Sequence, residues 1–288
     1  MQCFFEEEMK MKDRRLFASL MILTATLMWG LSYAIQSMAS GNLGTFTIVC
    51  IKGLGGVFLY PILKLLKRKI DTKAIRHGIL IGLVAFLGCA FQQKGLELST
   101  VSKASFITAL YIVIVPLIEV LSGKKMKARM GIAIVIAVFG LYFLCFSGSM
   151  SLQTGDLLLL ADSFFFALQI IFIDSGSRES DPLVLTFVSQ SVIAILSLTV
   201  ALITERPSFT ELSNAVLPAL YLLLFPGMIA TTIQVVFQKD VGPSLASLLM
   251  SFESVFGALG GWFLLGQTLS PREILGCVLV FIAILLAE

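Results

Sequence analysis

Apolar stretches close to the length of a membrane-crossing helix recur ten times along these 288 residues, separated by short polar connections. Spanning the hydrocarbon core of a bilayer takes about 20 predominantly apolar residues when the chain is helical. The stretches lie near 16–38, 45–66, 77–97, 102–123, 129–146, 155–174, 182–204, 213–235, 244–265 and 271–287. In hydrocarbon every backbone N–H and C=O must be bonded within the protein, which leaves helices or closed barrels, and runs of this length specify helices. The expected fold is an all-α membrane protein with ten transmembrane helices. Only 14% of residues are charged, against about 25% in an average soluble domain. No soluble domain is expected between the spans.

Two of these stretches are copies of one another. Residues 102–123, SKASFITALYIVIVPLIEVLSG, and 244–266, SLASLLMSFESVFGALGGWFLLG, align when Ala104-Ser105 is laid on Ala246-Ser247. Each then runs apolar to a glycine, Gly123 or Gly266, followed by a polar turn and another apolar stretch. The reading is an internal duplication with repeats at 16–146 and 155–287. Five spans per repeat is an odd number, so the second copy enters the membrane from the opposite side. Inverted repeats of this kind recur in secondary transporters, with the binding site at the midplane between the halves.

Basic residues set the orientation. With an inside N-terminus, 16 of the 21 Lys and Arg fall on inner segments: Lys10, Lys12, Arg14, Arg15, the six from Lys64 to Arg76, the four from Lys124 to Arg129, Arg178 and Lys239. Lys94, Lys103, Arg206 and Arg272 fall outside, and Lys52 lies within a span. Cytoplasmic loops carry the Lys and Arg excess, so both termini are expected in the cytoplasm of a multi-pass cell-membrane protein. The first apolar run is longer than the 7–15 residues or so of a signal-peptide core, and is read as an uncleaved helix.

Several chemistries are disfavoured. The five cysteines are scattered through apolar runs, and one histidine, His77, without CxxC or HExxH, cannot build a conventional zinc or iron site. No metal and no cofactor are expected. An intramembrane protease needs a Ser with a membrane histidine, or a GxGD pattern, and Thr154-Gly155-Asp156 lacks the first glycine. The net charge of +3 reflects residues beside spans and carries no nucleic-acid signal. An enzyme is therefore not expected.

Polar and aromatic residues deep within spans are where function is sought, because such groups are costly against lipid and face protein or water. Trp29 and Tyr33 stand away from the interfacial belts where aromatics usually gather, though core packing also accounts for them. Glu253 is near the centre of its span and must face the interior, be neutral, or pair. Lys52 is about seven residues inside its span, where it either snorkels to the interface or faces the pathway. Asp162 either reaches water near its helix end or acts inside. Substrate contacts are expected from Trp29, Tyr33, Gln93, Phe106, Thr108, Tyr111, Phe165, Gln169, Gln234 and Ser247. Glu253, Lys52 and Asp162 are the candidates for coupling or gating. Spans 1, 3, 4, 6, 8 and 9 are expected to line the pathway.

The chain resembles the EamA-type branch of the drug/metabolite transporter superfamily over nearly its whole length. The likeness is carried by WGLSY at 29–33, by QKGLELSTVSKASFITALYIVIVP at 93–116, and by SFESVF at 251–256 with Gly261-Trp262. Four positions depart from the family's usual pattern. Lys52 stands for Arg, Ser254 for the Pro after the glutamate, Gln267 for Glu, and Asp162 for a small or apolar residue. The missing proline at 254 argues against a hinge in that helix. The resemblance implies a ten-helix carrier that moves amino acids, nucleosides, other small metabolites or drugs, commonly outward. The expected function is a secondary transporter of a small organic solute working by alternating access. A flippase for a lipid-linked small molecule is the alternative within the same superfamily. The expected partners are that solute, the lipid bilayer and protons as a coupling ion, with no nucleic acid; neither substrate identity nor oligomeric state is specified by these residues.

Overall fold

A computed structural model describes residues 2–145, 153–265 and 270–287; Gln267 lies outside them. The described residues form fifteen α-helices, one π-helical segment and no strand. In chain order these are α1 (Gln2–Ala39), α2 (Thr45–Val57), α3 (Tyr60–Leu65), α4 (Thr72–Glu97), α5 (Val101–Thr108), α6 (Tyr111–Leu121), α7 (Ala128–Cys145), α8 (Thr154–Glu179), α9 (Pro182–Thr204), α10 (Phe209–Asn214), α11 (Val216–Leu222), the π segment (Leu223–Ala230), α12 (Thr231–Val241), α13 (Pro243–Met250), α14 (Glu253–Leu265) and α15 (Pro271–Ala287).

Seven stretches among the described residues are long and apolar enough to cross a membrane: Asp13–Ala39, Thr45–Leu65, Thr72–Glu97, Lys103–Leu121, Thr154–Glu179, Pro182–Thr204 and Val216–Val241. Ala128–Leu144 is a shorter apolar helix. The remaining two predicted stretches are also helical, as α13 with α14 and as α15. Large apolar side chains cover the outside, with Leu65, Leu121 and Phe263 each about four-fifths exposed. Such a surface suits lipid and not water.

Helix starts follow side-chain chemistry. Asp71 accepts from the Ala74 N–H at 2.7 Å, which starts α4 five residues ahead of the apolar run expected from 77. Asp181 caps α9 through the Leu183 N–H at 2.9 Å. The α2 start is capped from another helix end: Glu205 accepts from the Phe46 N–H at 2.7 Å and the Thr47 N–H at 2.8 Å. A carboxylate there also complements the positive end of the helix dipole.

Two spans are broken at matching places. The first break is at Ala109-Leu110, between α5 and α6, and the second at Ser251-Phe252, between α13 and α14. At each, the first residue past the helix keeps α-like angles, φ −65° and ψ −6° at Ala109 and φ −60° and ψ −16° at Ser251. Their N–H groups bond alike, Ala109 to Ile107 O and Ser105 O, and Ser251 to Leu249 O and Ser247 O. Neither break falls on a proline. Pro116 lies inside continuous α6, and the Ser251-Phe252 break forms although Ser254 stands where proline was expected. The breaks therefore form without proline: tightening of the last turn into short-range bonds, not a missing donor, interrupts these helices.

Candidate functional site

A cavity with about 710 Å³ of empty space lies between the spans. Its lining residues come from the middle of each contributing span. They are Trp29, Ser32 and Tyr33 from α1, Lys52 from α2, Ala85, Cys89 and Gln92 from α4, and Tyr111 from α6. The second half supplies Phe166 and Gln169 from α8, Gln190 and Ile193 from α9, Pro226 and Gly227 from the π segment, Thr231 and Gln234 from α12, Met250 from α13, and Glu253 from α14. α2 and α9 are thus part of the wall, which adds the second and seventh spans to the expected set. The breaks explain how Tyr111 and Glu253 come to face inward, because each is the first residue of the helix after its break.

Glu253 sits at the centre of the polar side of this wall, 6% exposed. The Tyr111 hydroxyl donates to its Oε1 at 3.0 Å. Tyr33 also reaches the Glu253 side chain, and Lys52 is close enough to act on it electrostatically. Gln92 Nε2 donates to the Tyr33 hydroxyl at 3.1 Å, leaving the Tyr33 proton free to point at the carboxyl group. Lys52 Nζ donates to Gln36 Oε1 at 3.2 Å, and Gln36 Nε2 donates to Ser32 Oγ at 3.0 Å. Lys52 is held in the wall rather than directed to the near interface. Backbone packing seats Glu253: a Cβ on Gly30 would come within 2.6 Å of the Glu253 carbonyl oxygen.

The opposite side of the wall is built around an opened helix. The π segment contains Pro226, which has no N–H to donate, and its carbonyls are taken by side chains. Gln190 Nε2 donates to Gly227 O at 2.5 Å, and Thr231 Oγ1 donates to Pro226 O at 2.9 Å. Below it Gln234 Nε2 donates to Gln238 Oε1 at 2.9 Å, and Gln238 Nε2 to Ile170 O at 2.6 Å. The cavity therefore offers one ammonium group, one carboxyl group, several amides and aromatic walls. That combination fits a small organic molecule carrying charges of both signs.

Of the predicted site residues, Trp29, Tyr33, Tyr111, Gln169, Gln234, Glu253 and Lys52 line the cavity. The other six point elsewhere. Gln93 is 1% exposed and donates to Ser40 Oγ at 2.8 Å, while its neighbour Gln92 takes the wall position. Phe165 stacks on Phe91 at 5.7 Å between ring centroids, and Phe166 faces the cavity. Phe106 packs among apolar side chains with Leu141 and Val255. Ser247 is fully buried and bonds its own helix at Ser244 O. Thr108 donates to Asp162 Oδ2 at 2.5 Å, and both are fully buried behind the wall. Sequence reasoning missed Gln190, Thr231, Cys89 and Met250; Gln190 and Thr231 had the polar-in-a-span signal used for the others.

Polar contacts tie helix ends together at both ends of the bundle. At one end Lys103 Nζ lies 2.6 Å from Asp156 Oδ2, and the Thr45 hydroxyl donates to Glu97 at 2.5 Å. At the other, the Ser244 hydroxyl donates to Glu119, and Arg14 pairs with Asp240 at 2.9 Å.

Comparison with known proteins agrees with this architecture. A solved structure of 19% sequence identity superposes with a TM-score of 0.77 over 94% of this chain and 96% of its own, which establishes the fold alone. An uncharacterized transporter of Archaeoglobus fulgidus is 30% identical over 96% of this chain and 87% of its own length. An uncharacterized transporter of Methanothermobacter thermautotrophicus is 25% identical over 90% of this chain and 82% of its length. The profile of the EamA-like transporter family matches residues 16–146 and 153–287. With seven membrane-length helices and matches over both halves, this multi-pass membrane protein belongs to the EamA-like transporter family.

Proposed function

We propose that the chain is a secondary carrier of ten membrane-crossing helices in two inverted five-helix repeats, 16–146 and 155–287, with both termini cytoplasmic. It moves a small amino-acid-like metabolite, outward, by alternating access. The observation that carries this reading is the pairing of Tyr111 with Glu253 in the cavity wall. Each follows a matching helix break, so a single element contributed by both halves stands where the solute would sit. Family matches over both halves support the duplication. So does the packing, since α4 lies against α8 as the α11–α12 span lies against α1, α2 meets α9, and α7 meets α15.

In this reading the solute is held between Trp29, Phe166 and the amides of Gln169 and Gln190, its carboxylate toward Lys52 and its ammonium toward Glu253. The end contacts Lys103–Asp156 and Glu119–Ser244 open in turn. Glu253 couples the cycle to protons, because a carboxyl group bonded to two phenols in one state meets water in another. Asp162 and its partner Thr108 stand immediately before the first break and hold it.

The test is reconstitution in proteoliposomes, screening zwitterionic metabolites for flux under an imposed pH gradient. Wild-type protein is expected to concentrate a solute in response to the gradient, and Glu253→Gln to lose that response while still binding. Scrambling of a labelled lipid with no solute flux would replace this reading with a flippase. Full gradient dependence in Glu253→Gln would remove Glu253 from coupling.

A further inference from the structure

A second cavity, about 810 Å³ of empty space, opens at the end of the bundle opposite Glu205 and Glu97. Among the described residues its wall holds Arg15, Lys124, Lys125, Lys127 and Arg129, with Glu119 as the acid. Bases thus outnumber acids in this described wall, where Arg129 Nη2 already donates to Ala287 O at 3.2 Å. The acid is already engaged: Lys124 Nζ donates to Glu119 at 2.9 Å, and the Ser244 hydroxyl also donates to it. Asp240, two residues before Gly242 of the wall, is taken by Arg14.

The orientation bias of loop charges accounts for bases at this end of the molecule but not for their convergence. In the other basic stretch of this end, 64–76, two of the six bases meet acids of the chain. Arg68 pairs with Asp181 at 2.9 Å, Lys73 with Glu179 at 2.8 Å, and Lys64 lies over the Tyr60 ring. The cavity, by contrast, gathers its bases around two helix starts, α7 at Ala128 and α13 at Pro243, whose first turns form part of its wall. Helix starts present N–H groups and partial positive charge. Like charges in a concave wall repel one another, and the same field concentrates anions.

We propose that this cavity is a binding site for a phosphate group, carried by the headgroup of an anionic lipid or by free phosphate. The bases lie at the ends of spans, at headgroup level, where pockets of this kind take anionic lipid. The wall joins the end of α6 to the start of α13, whose spans carry Tyr111 and Glu253. A bound phosphate would tie those two spans together at their polar ends. The site does not depend on the transport reading.

Full-length protein in neutral detergent tests the site when titrated separately with phosphatidylglycerol, phosphatidylcholine and inorganic phosphate. Binding is read as lipid retained in native mass spectrometry and as a thermal shift. Phosphatidylglycerol is expected to be retained over phosphatidylcholine, more weakly as salt rises. Lys125→Gln with Lys127→Gln should lower its affinity about 25-fold, at about fivefold per lysine. Lys125→Arg with Lys127→Arg should keep it, and Lys67→Gln with Lys69→Gln should leave it unchanged. A shift with inorganic phosphate alone, lost in the same glutamine variant, would assign the site to soluble phosphate. No preference for either phosphate source over phosphatidylcholine, or equal loss in both glutamine pairs, would overturn the proposal.

Discussion

The Tyr111 hydroxyl donates to Glu253 Oε1 at 3.0 Å across 142 positions of sequence, the same offset that lays Ala104-Ser105 on Ala246-Ser247. The bond couples the first residues after the two helix breaks, and the same two spans also meet through Ser254 with Ser105 O and Ser244 with Glu119.

That coupling is measurable. Tyr111→Phe keeps the ring and removes the donor, and Glu253→Gln keeps the shape and removes the charge. Each single change is expected to destabilise the protein in detergent by about 1 kcal/mol. The double variant should lose less than the sum, since both act on the same bond. Thermal unfolding of the four proteins decides it, and strict additivity would show that the two side chains do not bond.

Gly30→Ala places a methyl group 2.6 Å from both the Glu253 carbonyl oxygen and Phe256 Cβ. Backbone must shift there, at a cost of about 1–3 kcal/mol. A lowered unfolding temperature is expected, along with weaker solute binding, because the displaced residue carries the cavity carboxyl group. Unchanged stability would mean that α1 and α14 lie further apart.

Ser254→Pro tests what makes the second break. The Ser254 N–H makes only a long bond, 3.3 Å to Ser251 O, so proline loses little there. The side chain gives up its donation to Ser105 O at 3.0 Å, worth about 1 kcal/mol. Ala258→Pro, inside α14, should cost about 3 kcal/mol or more. Comparable losses in the two variants would place Ser254 within a continuous helix.

Orientation is checked with single cysteines in a cysteine-free background. Lys69→Cys and Thr210→Cys both lie on exposed surface, in connections assigned to opposite sides. An impermeant thiol reagent added outside intact cells is expected to label Thr210→Cys and spare Lys69→Cys. The reverse pattern would invert the topology.

The helices were legible because span length and apolarity are properties of local sequence. Burial of Glu253 was legible for the same reason, as a charge far from either end of its run. Facing was less so: successive residues on a helix point about 100° apart, and the sequence pointed to Gln93 and Phe165 where Gln92 and Phe166 face the cavity. The breaks at Ala109-Leu110 and Ser251-Phe252 left no mark, since no glycine or proline occupies them and Pro116 of the first broken span lies six residues beyond Leu110. Ser247 and Thr108 had the polarity expected of wall residues, but Ser244 O and Asp162 had already claimed their hydroxyls.

The π segment holds slack. Each π turn keeps one more residue than an α turn, and Leu223–Ala230 carries that surplus beside the solute cavity. Passing it along the helix would swing Thr231 and Gln234 by about 100° relative to α11, taking both off the wall. Pro226 has no ladder bond to surrender at the slip point, and the Gln190 amide follows Gly227 O as a tether. The second half could thereby exchange one set of wall side chains for another by a register slip, with no helix melted and no domain rotated.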